Sequence, residues 1–287
     1  MPLVSVAICV SNSEKYIADC LNAILTQTFS DFELIIVADP ISDRTYQTIR
    51  SFSDKRIRFF VNEMNIGLTK SRNKSLSYSK GEYVFFTDSD CTVARNWIEE
   101  GLKNLRRPDC IGVEGIVYYV SKAHRPTFSD HLMENRVGGN FLTANIAYKK
   151  EVLQSIGGFD EKYTYHEDRD IAFRAVEQGE LLFNPKMIVY HQQVTMTPNA
   201  YLKSAGFGKN RVYLFKKYGD KECIIGRFYK PANLVKIFFP PLILLSLFFE
   251  KFNSKKDFLL LPYSYFFVIK ERLLFWRECA KEREFLI

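Results

Sequence analysis

The chain has 287 residues, 47% of them apolar and 25% charged. Those values exclude a long disordered chain, and this length can bury a sizeable core without covalent staples. The net charge of +7 is unevenly placed: residues 1–200 hold 23 basic and 25 acidic side chains, whereas residues 201–287 hold 17 and 8.

The first 120 residues alternate strand-like and helix-like patterns. Leu3 to Val10 is an apolar, β-branched run. Glu14 to Phe29 places Ile17, Leu21, Ile24 and Leu25 on one helical face, with Asn12 and Ser13 as cap candidates. Phe32–Val37 reads as a strand, Arg44–Phe52 as a helix and Arg56–Val61 as a strand. Leu68–Ser79 reads as a helix stopped by Gly81, Tyr83–Phe86 as a short buried strand and Trp97–Leu105 as a helix. That order predicts an α/β fold, a mostly parallel sheet with helices on both faces. Such sheets bind ligands outside the carboxyl ends of their strands. The polar residues at those ends are Ser11 and Asn12, then Asp39, then Asp88 and Asp90. Three acids on one sheet edge repel one another unless a metal ion or polar ligand relieves them.

Asp88-Ser89-Asp90 leaves the run Tyr83-Val84-Phe85-Phe86. By itself such a triplet is more often a solvated turn; two carboxylates at a strand exit also suit a hard cation such as Mg²⁺ or Mn²⁺. Farther on, Glu167, Asp168 and Asp170 open a helix whose apolar face is Ile171, Ala172 and Ala175. The helix dipole favours acids there. Three carboxylates in four positions exceed what capping needs, and one could serve as a general base. Met187–Tyr190 is strand-like and ends in His191, which reads as structural or, beside Asp88 and Asp90, as a third metal ligand.

Taken together these pieces resemble the family 2 glycosyltransferases of the GT-A fold, from about Leu3 to about Gln192. The resemblance is carried by Val4-Ser5-Val6 with Asn12, Gln27-Thr28-Phe29, Asp39 with Asp43, and Asn65-Ile66-Gly67-Leu68 followed by Ser71-Arg72-Asn73. Asp88-Ser89-Asp90, Thr143-Ala144-Asn145, Gly157-Gly158-Phe159-Asp160-Glu161, Glu167-Asp168-Arg169-Asp170 with Arg174, and His191 complete it. It implies a nucleotide-sugar-binding catalytic domain over residues 1–200. Asp39, Arg72, Asp88 and Asp90 would meet the donor, Asp168 would be the catalytic base, and Glu167 would bind the acceptor. Asp88, Asp90 and His191 would hold Mn²⁺ or Mg²⁺. The implied reaction is inverting transfer of a sugar from a nucleoside-diphosphate sugar to a hydroxyl of a lipid-linked or glycan acceptor. Two departures, Cys9-Val10-Ser11 and Ala38-Asp39-Pro40-Ile41, fall in the implied base pocket and leave the nucleobase open. Two rivals are a nucleotidyltransferase, whose Gly-rich basic loop is missing near Ser11-Asn12-Ser13, and a non-catalytic scaffold, which would not need acids at 88, 90 and 168.

The extension over residues 201–287 is expected to be helical. Tyr201–Tyr218 reads as a helix ending in Lys216, Lys217 and Gly219. Two apolar runs follow, Ile237–Phe249 and Phe258–Ile269, each shorter than the ~20 residues of a simple spanning helix. Flanked by lysine and arginine, they suit attachment to an anionic membrane surface, or else a packed subdomain or a contact between copies in a homo-oligomer. Nucleic acid is not expected as a partner, since aliphatic runs make poor phosphate-binding surface. Scattered cysteines with no Cys-x-x-Cys pair, and a start, Met1-Pro2-Leu3-Val4, that reads as no signal peptide, fit a cytoplasmic protein peripheral to the inner face of the membrane.

Overall fold

The computed structural model describes residues 1–120, 130–131, 134–192, 194–195, 197–219 and 257–283. They form two compact units, Met1–Val120 with Met133–Gln192, and Ser121–Leu132 with Gln193–Ile287.

The first unit is built on an eight-stranded mixed sheet. Its strands are β1 (Val4–Val10), β2 (Phe32–Ala38), β3 (Ile57–Val61), β4 (Tyr83–Asp88), β5 (Cys91–Val93), β6 (Cys110–Val120), β8 (Ile146–Lys149) and β9 (Glu180–Gln192), in spatial order β3-β2-β1-β4-β8-β6-β9-β5. The first four run parallel. Crossovers through α1 (Ile17–Leu25), α2 (Thr45–Arg50) and α3 (Leu68–Tyr78) impose that direction. The second half of the sheet is mixed: β8 is antiparallel to β4 and β6, β9 is parallel to β6, and β5 is antiparallel to β9. Periodicity over the first 120 residues predicts the parallel half; β5 and β8 are too short to announce themselves.

Both faces of the sheet are covered, which is why β2 is buried along its whole length and apolar but for Glu33, which Arg58 pairs at 2.6 Å. Alternation sends Val4, Val6, Ile8 and Val10 to a core shared with Ile17, Leu21 and Ile24 of α1 and with Trp97, Ile98 and Leu102 of α4 (Trp97–Leu105). Ala7, Val84 and Phe86 face the other core, with Leu76 of α3, Val152 and Leu153 of α5 (Lys150–Ser155), and Ile171 and Ala175 of α6 (Glu167–Ala175).

Two local features set the geometry of the sheet edge. Strand order reverses at β1, which has β2 on one side and β4 on the other. Cys9 therefore pairs with Asp88, and the crevice at their carboxyl ends is the topological switch point. Farther along, the β6–β9 register jumps from Gly115↔Asn184 to Ile116↔Ile188. Pro185, which cannot donate to a ladder, lies inside that bulge. Only glycine fits opposite it, because a Cβ on Gly115 would stand 2.0 Å from the Met187 carbonyl oxygen.

Helix α1 begins at Ile17 with no side-chain cap, so Asn12 and Ser13 are not its caps. Asn12 instead exchanges hydrogen bonds with Ser42, and the Ser13 hydroxyl lies 2.7 Å from that of Ser89. Long-range partners outcompete the local helix end for these side chains.

In the second unit, β7 (Asp130–His131) pairs antiparallel with β10 (Val194–Thr195). The segment expected as one helix over Tyr201–Tyr218 is α7 (Pro198–Ser204), a 3-10 turn (Ala205–Lys209) and α8 (Asn210–Tyr218), closed by Gly219 at φ 64°. Helix α9 (Asp257–Glu282) packs Phe275, Cys279 and Trp276 against Val212 and Phe215. The run Ile237–Phe249 lies outside the described residues, and Phe258–Ile269 forms the first half of α9. Among the described residues no helix is long and apolar enough to cross a membrane.

Candidate active site

The sheet delivers distant side chains to one edge. Asp88 is the last residue of β4, and Ser89 and Asp90 turn the chain into β5. β5 is only three residues long, yet its pairing puts Cys91 opposite His191. The His191 Nε2 thereby stands 3.5 Å from Asp90 Oδ1. The other ring nitrogen, Nδ1, is 2.9 Å from the Gln192 carbonyl oxygen. A carbonyl only accepts, so Nδ1 donates in that bond, and Nε2 is the ring nitrogen turned toward Asp90. Ligand atoms of Asp88, Asp90, Cys91 and His191 all lie within 4.8 Å of one another. Burial raises the Asp90 carboxyl above its ordinary pKa; the nearby His191 opposes this and the Asp88 charge adds to it. An oxygen- and nitrogen-rich donor set with one acid held above its usual range fits a divalent cation.

A second charge cluster adjoins the first. Arg72, buried on α3, donates through one nitrogen to Asp88 Oδ1 at 3.2 Å and through another to Glu167 Oε1. These two carboxylates come from β4 and from the first turn of α6, 79 positions apart by their numbering, and one guanidinium joins them. Despite the desolvation that opposes it, the pair of acids raises the Arg72 pKa, so the guanidinium stays charged. Next to Glu167, the Asp168 carboxyl is half-buried and accepts from the Arg169 amide at 2.8 Å. Burial first, and then the neighbouring Glu167 charge, push its pKa up to about 7, against the pull of Arg72.

The three acids of α6 thus divide. Asp170 is fully buried and ion-paired with Arg174 at 2.7 Å, a contact that pins the helix. Glu167 is tied to Arg72, whereas Asp168 remains partly exposed. The helix starts at His166 in the left-handed conformation, φ 69°, with no side-chain cap.

Asp39, just past the end of β2, sits at the same sheet edge in a hydrogen-bond network of its own. Its carboxylate accepts from Asn62 at 2.9 Å, from the Ile66 and Gly67 amides at 3.2 Å each, and from Ser71 at 3.3 Å. It fastens the glycine turn that opens α3, the helix carrying Arg72. Other motif residues serve the scaffold. Asn145 accepts from the Trp97 indole at 2.7 Å and donates to the Ile116 and Met187 carbonyls. Gln27 accepts from the Ile98 amide and donates to Ala94. Asn73 clamps the Gly157-Gly158-Phe159 turn through both the amide and the carbonyl of Phe159. Sequence reasoning passed over Cys91 and Asn62. The strand-end rule that found Asp39 would have flagged Asn62, which follows β3; Cys91 becomes visible only through its pairing with β9.

Comparison with known proteins agrees on one family. The model described as "Glycosyl transferase family 2" matches residues 5–159. A Haemophilus influenzae protein named "Uncharacterized glycosyltransferase" is 34% identical over 40% of this chain and 36% of its own length. The chain thus spans about a third of that relative. "Glucosyl-dolichyl phosphate glucuronosyltransferase" of Haloferax volcanii is 26% identical over 66% of this chain and 69% of its own. The Escherichia coli "UDP-Glc:alpha-D-GlcNAc-diphosphoundecaprenol beta-1,3-glucosyltransferase WfgD" is 35% identical over 34% of this chain and 38% of its own. Among solved structures, the mannosyltransferase PcManGT from Pyrobaculum calidifontis, in complex with GDP-Man and Mn²⁺, has TM-score 0.62 at 16% identity over 96% of this chain and 87% of that one. S. aureus TarS 1-349 in complex with UDP-GlcNAc has TM-score 0.60 at 19% identity over 99% and 93%. These two share the fold.

Proposed function

Because the chain belongs to glycosyl transferase family 2, we propose that it moves a sugar, with inversion, from a nucleoside-diphosphate sugar to a hydroxyl of a lipid-linked or glycan acceptor. The observation that carries this reading is the Arg72 bridge, which joins the first turn of α6, through Glu167, to Asp88 at the end of β4. Donor complexes of fold neighbours, with GDP-Man and with UDP-GlcNAc, and a relative named for a diphosphoundecaprenol-linked acceptor support the substrate classes.

In this mechanism Asp168 takes the proton of the attacking acceptor hydroxyl. A carboxylate whose pKa stands at about 7 is matched to that task near neutral pH. Arg72 holds positive charge beside the diphosphate and fixes the distance between the two carboxylate turns. Glu167, expected to meet the acceptor, has its carboxylate on Arg72, so in this reading it orients Arg72 and borders the acceptor side. Asp39 organises the α3 turn against the nucleoside. Asp88, Asp90 and His191 would hold Mn²⁺ or Mg²⁺, which when bound stabilises the charge on the departing diphosphate. The Mn²⁺ of PcManGT supports a cation in this role.

The second unit would approach an anionic membrane surface through α9. Tyr263, Phe266 and Leu273 are exposed on that helix, interleaved at helical spacing with exposed Lys270 and Arg277. In a flotation assay on anionic vesicles the full chain should float, and Phe266→Asp with Leu273→Asp should not; failure of the unsubstituted chain to float removes the membrane from the proposal.

The enzymatic reading is tested by a panel of nucleotide sugars with and without Mn²⁺, read by thermal stabilisation and then by product. A donor at a hundredfold excess over its Kd should stabilise the protein by about 2.7 kcal/mol. Transfer from none of the panel, with a donor bound, would favour a non-catalytic nucleotide-sugar binder.

A further inference from the structure

The cluster at the end of β4 contains one group that a site for a hard cation does not need. Cys91 follows the Asp-x-Asp turn directly and pairs with His191 across the β5–β9 ladder. Paired residues of adjacent strands project to the same face, so thiol and imidazole point the same way. The Cys91 sulfur lies within 4.8 Å of the ligand atoms of Asp88, Asp90 and His191. Mg²⁺ and Mn²⁺ prefer oxygen, whereas thiolate and imidazole select zinc-like cations.

We propose that Cys91 is a ligand in this site, and that it gives the site a preference for thiophilic divalent cations, Zn²⁺, Co²⁺ and Cd²⁺, over Mg²⁺ and Mn²⁺. The inference rests on the reading that Asp88, Asp90 and His191 hold a metal. The four groups are two carboxylate oxygens, one imidazole nitrogen with its tautomer fixed by Gln192, and one sulfur. Tetrahedral zinc, with bonds of about 2.0–2.3 Å, needs its ligand atoms roughly 3.3–3.8 Å apart, so closure requires shifts of only about an ångström. Coordination replaces the S–H bond of Cys91 with a sulfur–metal bond, and the proton leaves to solvent. Zinc so bound has its four positions taken by protein atoms. It would leave no position for a diphosphate oxygen and would hold the enzyme in an inhibited state that a chelator reverses.

The test is Co²⁺ titration of the full chain, followed by near-ultraviolet absorption, where thiolate-to-cobalt charge transfer appears. The unsubstituted protein should develop that band with one Co²⁺ per chain, and Zn²⁺ should displace it. Cys91→Ala and Cys91→Ser should both lack the band. Cys110→Ser should keep it, because that thiol is bonded to the Gly112 carbonyl 3.2 Å away. Outer-shell changes cost metal sites about 10–100-fold in affinity, so the ratio of Zn²⁺ to Mn²⁺ affinity should fall at least ~10-fold in the Cys91 variants. The proposal is overturned if the unsubstituted protein binds Co²⁺ without the band, or if Cys91→Ala retains it. Donor binding and Mn²⁺-dependent transfer, measured on the same protein before any Co²⁺ is added, separate the two readings. A missing band with intact transfer removes only the thiol, and a band without transfer removes only the metal-dependent enzyme.

Discussion

At Arg72 one guanidinium balances carboxylates from two distant parts of the chain, and both side chains of the Arg72–Glu167 pair are 6% exposed. Removing one partner of a buried pair leaves the other uncompensated, at a cost of about 3–5 kcal/mol. Arg72→Met should therefore lower unfolding free energy by roughly 3 kcal/mol in urea melts; a loss below about 1 kcal/mol would mean the pair is hydrated. Asp168 makes a prediction of opposite kind. Its folded pKa of about 7 lies above its ordinary 3.8, so folding favours the protonated form. The stability this group contributes is complete below about pH 4 and is lost as pH rises through about 7. The unliganded protein should thus lose melting temperature between pH 5 and pH 8 by more than Asp168→Asn does. Turnover should follow the reverse course, falling as pH drops through about 7 and the base becomes protonated. Asp168→Asn should lose at least ~100-fold in kcat, with donor still bound. Near-normal turnover in that variant removes Asp168 from the role.

Among the elements, the Gly157-Gly158 turn and α3 depend on each other. Gly158 adopts φ 72°, and a Cβ there would meet the Asn73 side-chain oxygen at 2.8 Å. That oxygen accepts from the Phe159 amide, so the clash falls on the bond that holds the turn. Gly158→Ala should destabilise by about 1–3 kcal/mol, since it combines left-handed strain with displacement of Asn73. Calorimetry on the variant checks this, and an unchanged melting temperature would show that the turn relaxes freely. The helices α1 and α4 were legible in sequence because their apolar positions recur at helical spacing over at least two turns; α3 has no such stripe, its buried face being Thr69, Ser71, Arg72, Ser75 and Leu76. Short pairings such as β5 were not legible, because three residues carry no period and their stability comes from β9. The Asn12 and Ser13 side chains misled for a related reason: a cap is a local preference, and partners at Ser42 and Ser89 replaced it.

Across the whole molecule, the fold and family were legible because the parallel half of the sheet is coded by continuous apolar runs, and polar residues at strand ends mark the switch-point edge. A stretch such as Phe32–Ala38, buried throughout, can be read from its own residues. Chemistry at the site was coded differently. Asp88, Asp90 and Asp168 could be named from their motifs, but their mutual placement follows from pairing. Arg72 joins β4 to α6, and the β6–β9 bulge at Pro185 sets the phase that turns His191 and Cys91 toward Asp90. The sequence alone determined which side chains are charged, polar or apolar, and therefore which segments must be buried. Only the tertiary structure decided that Asp170 serves the scaffold, that Glu167 is committed to Arg72 and that a thiol stands among the carboxylates. Burial is a local property of pattern, whereas proximity between residues a hundred positions apart depends on register, and register is set by long-range hydrogen bonding.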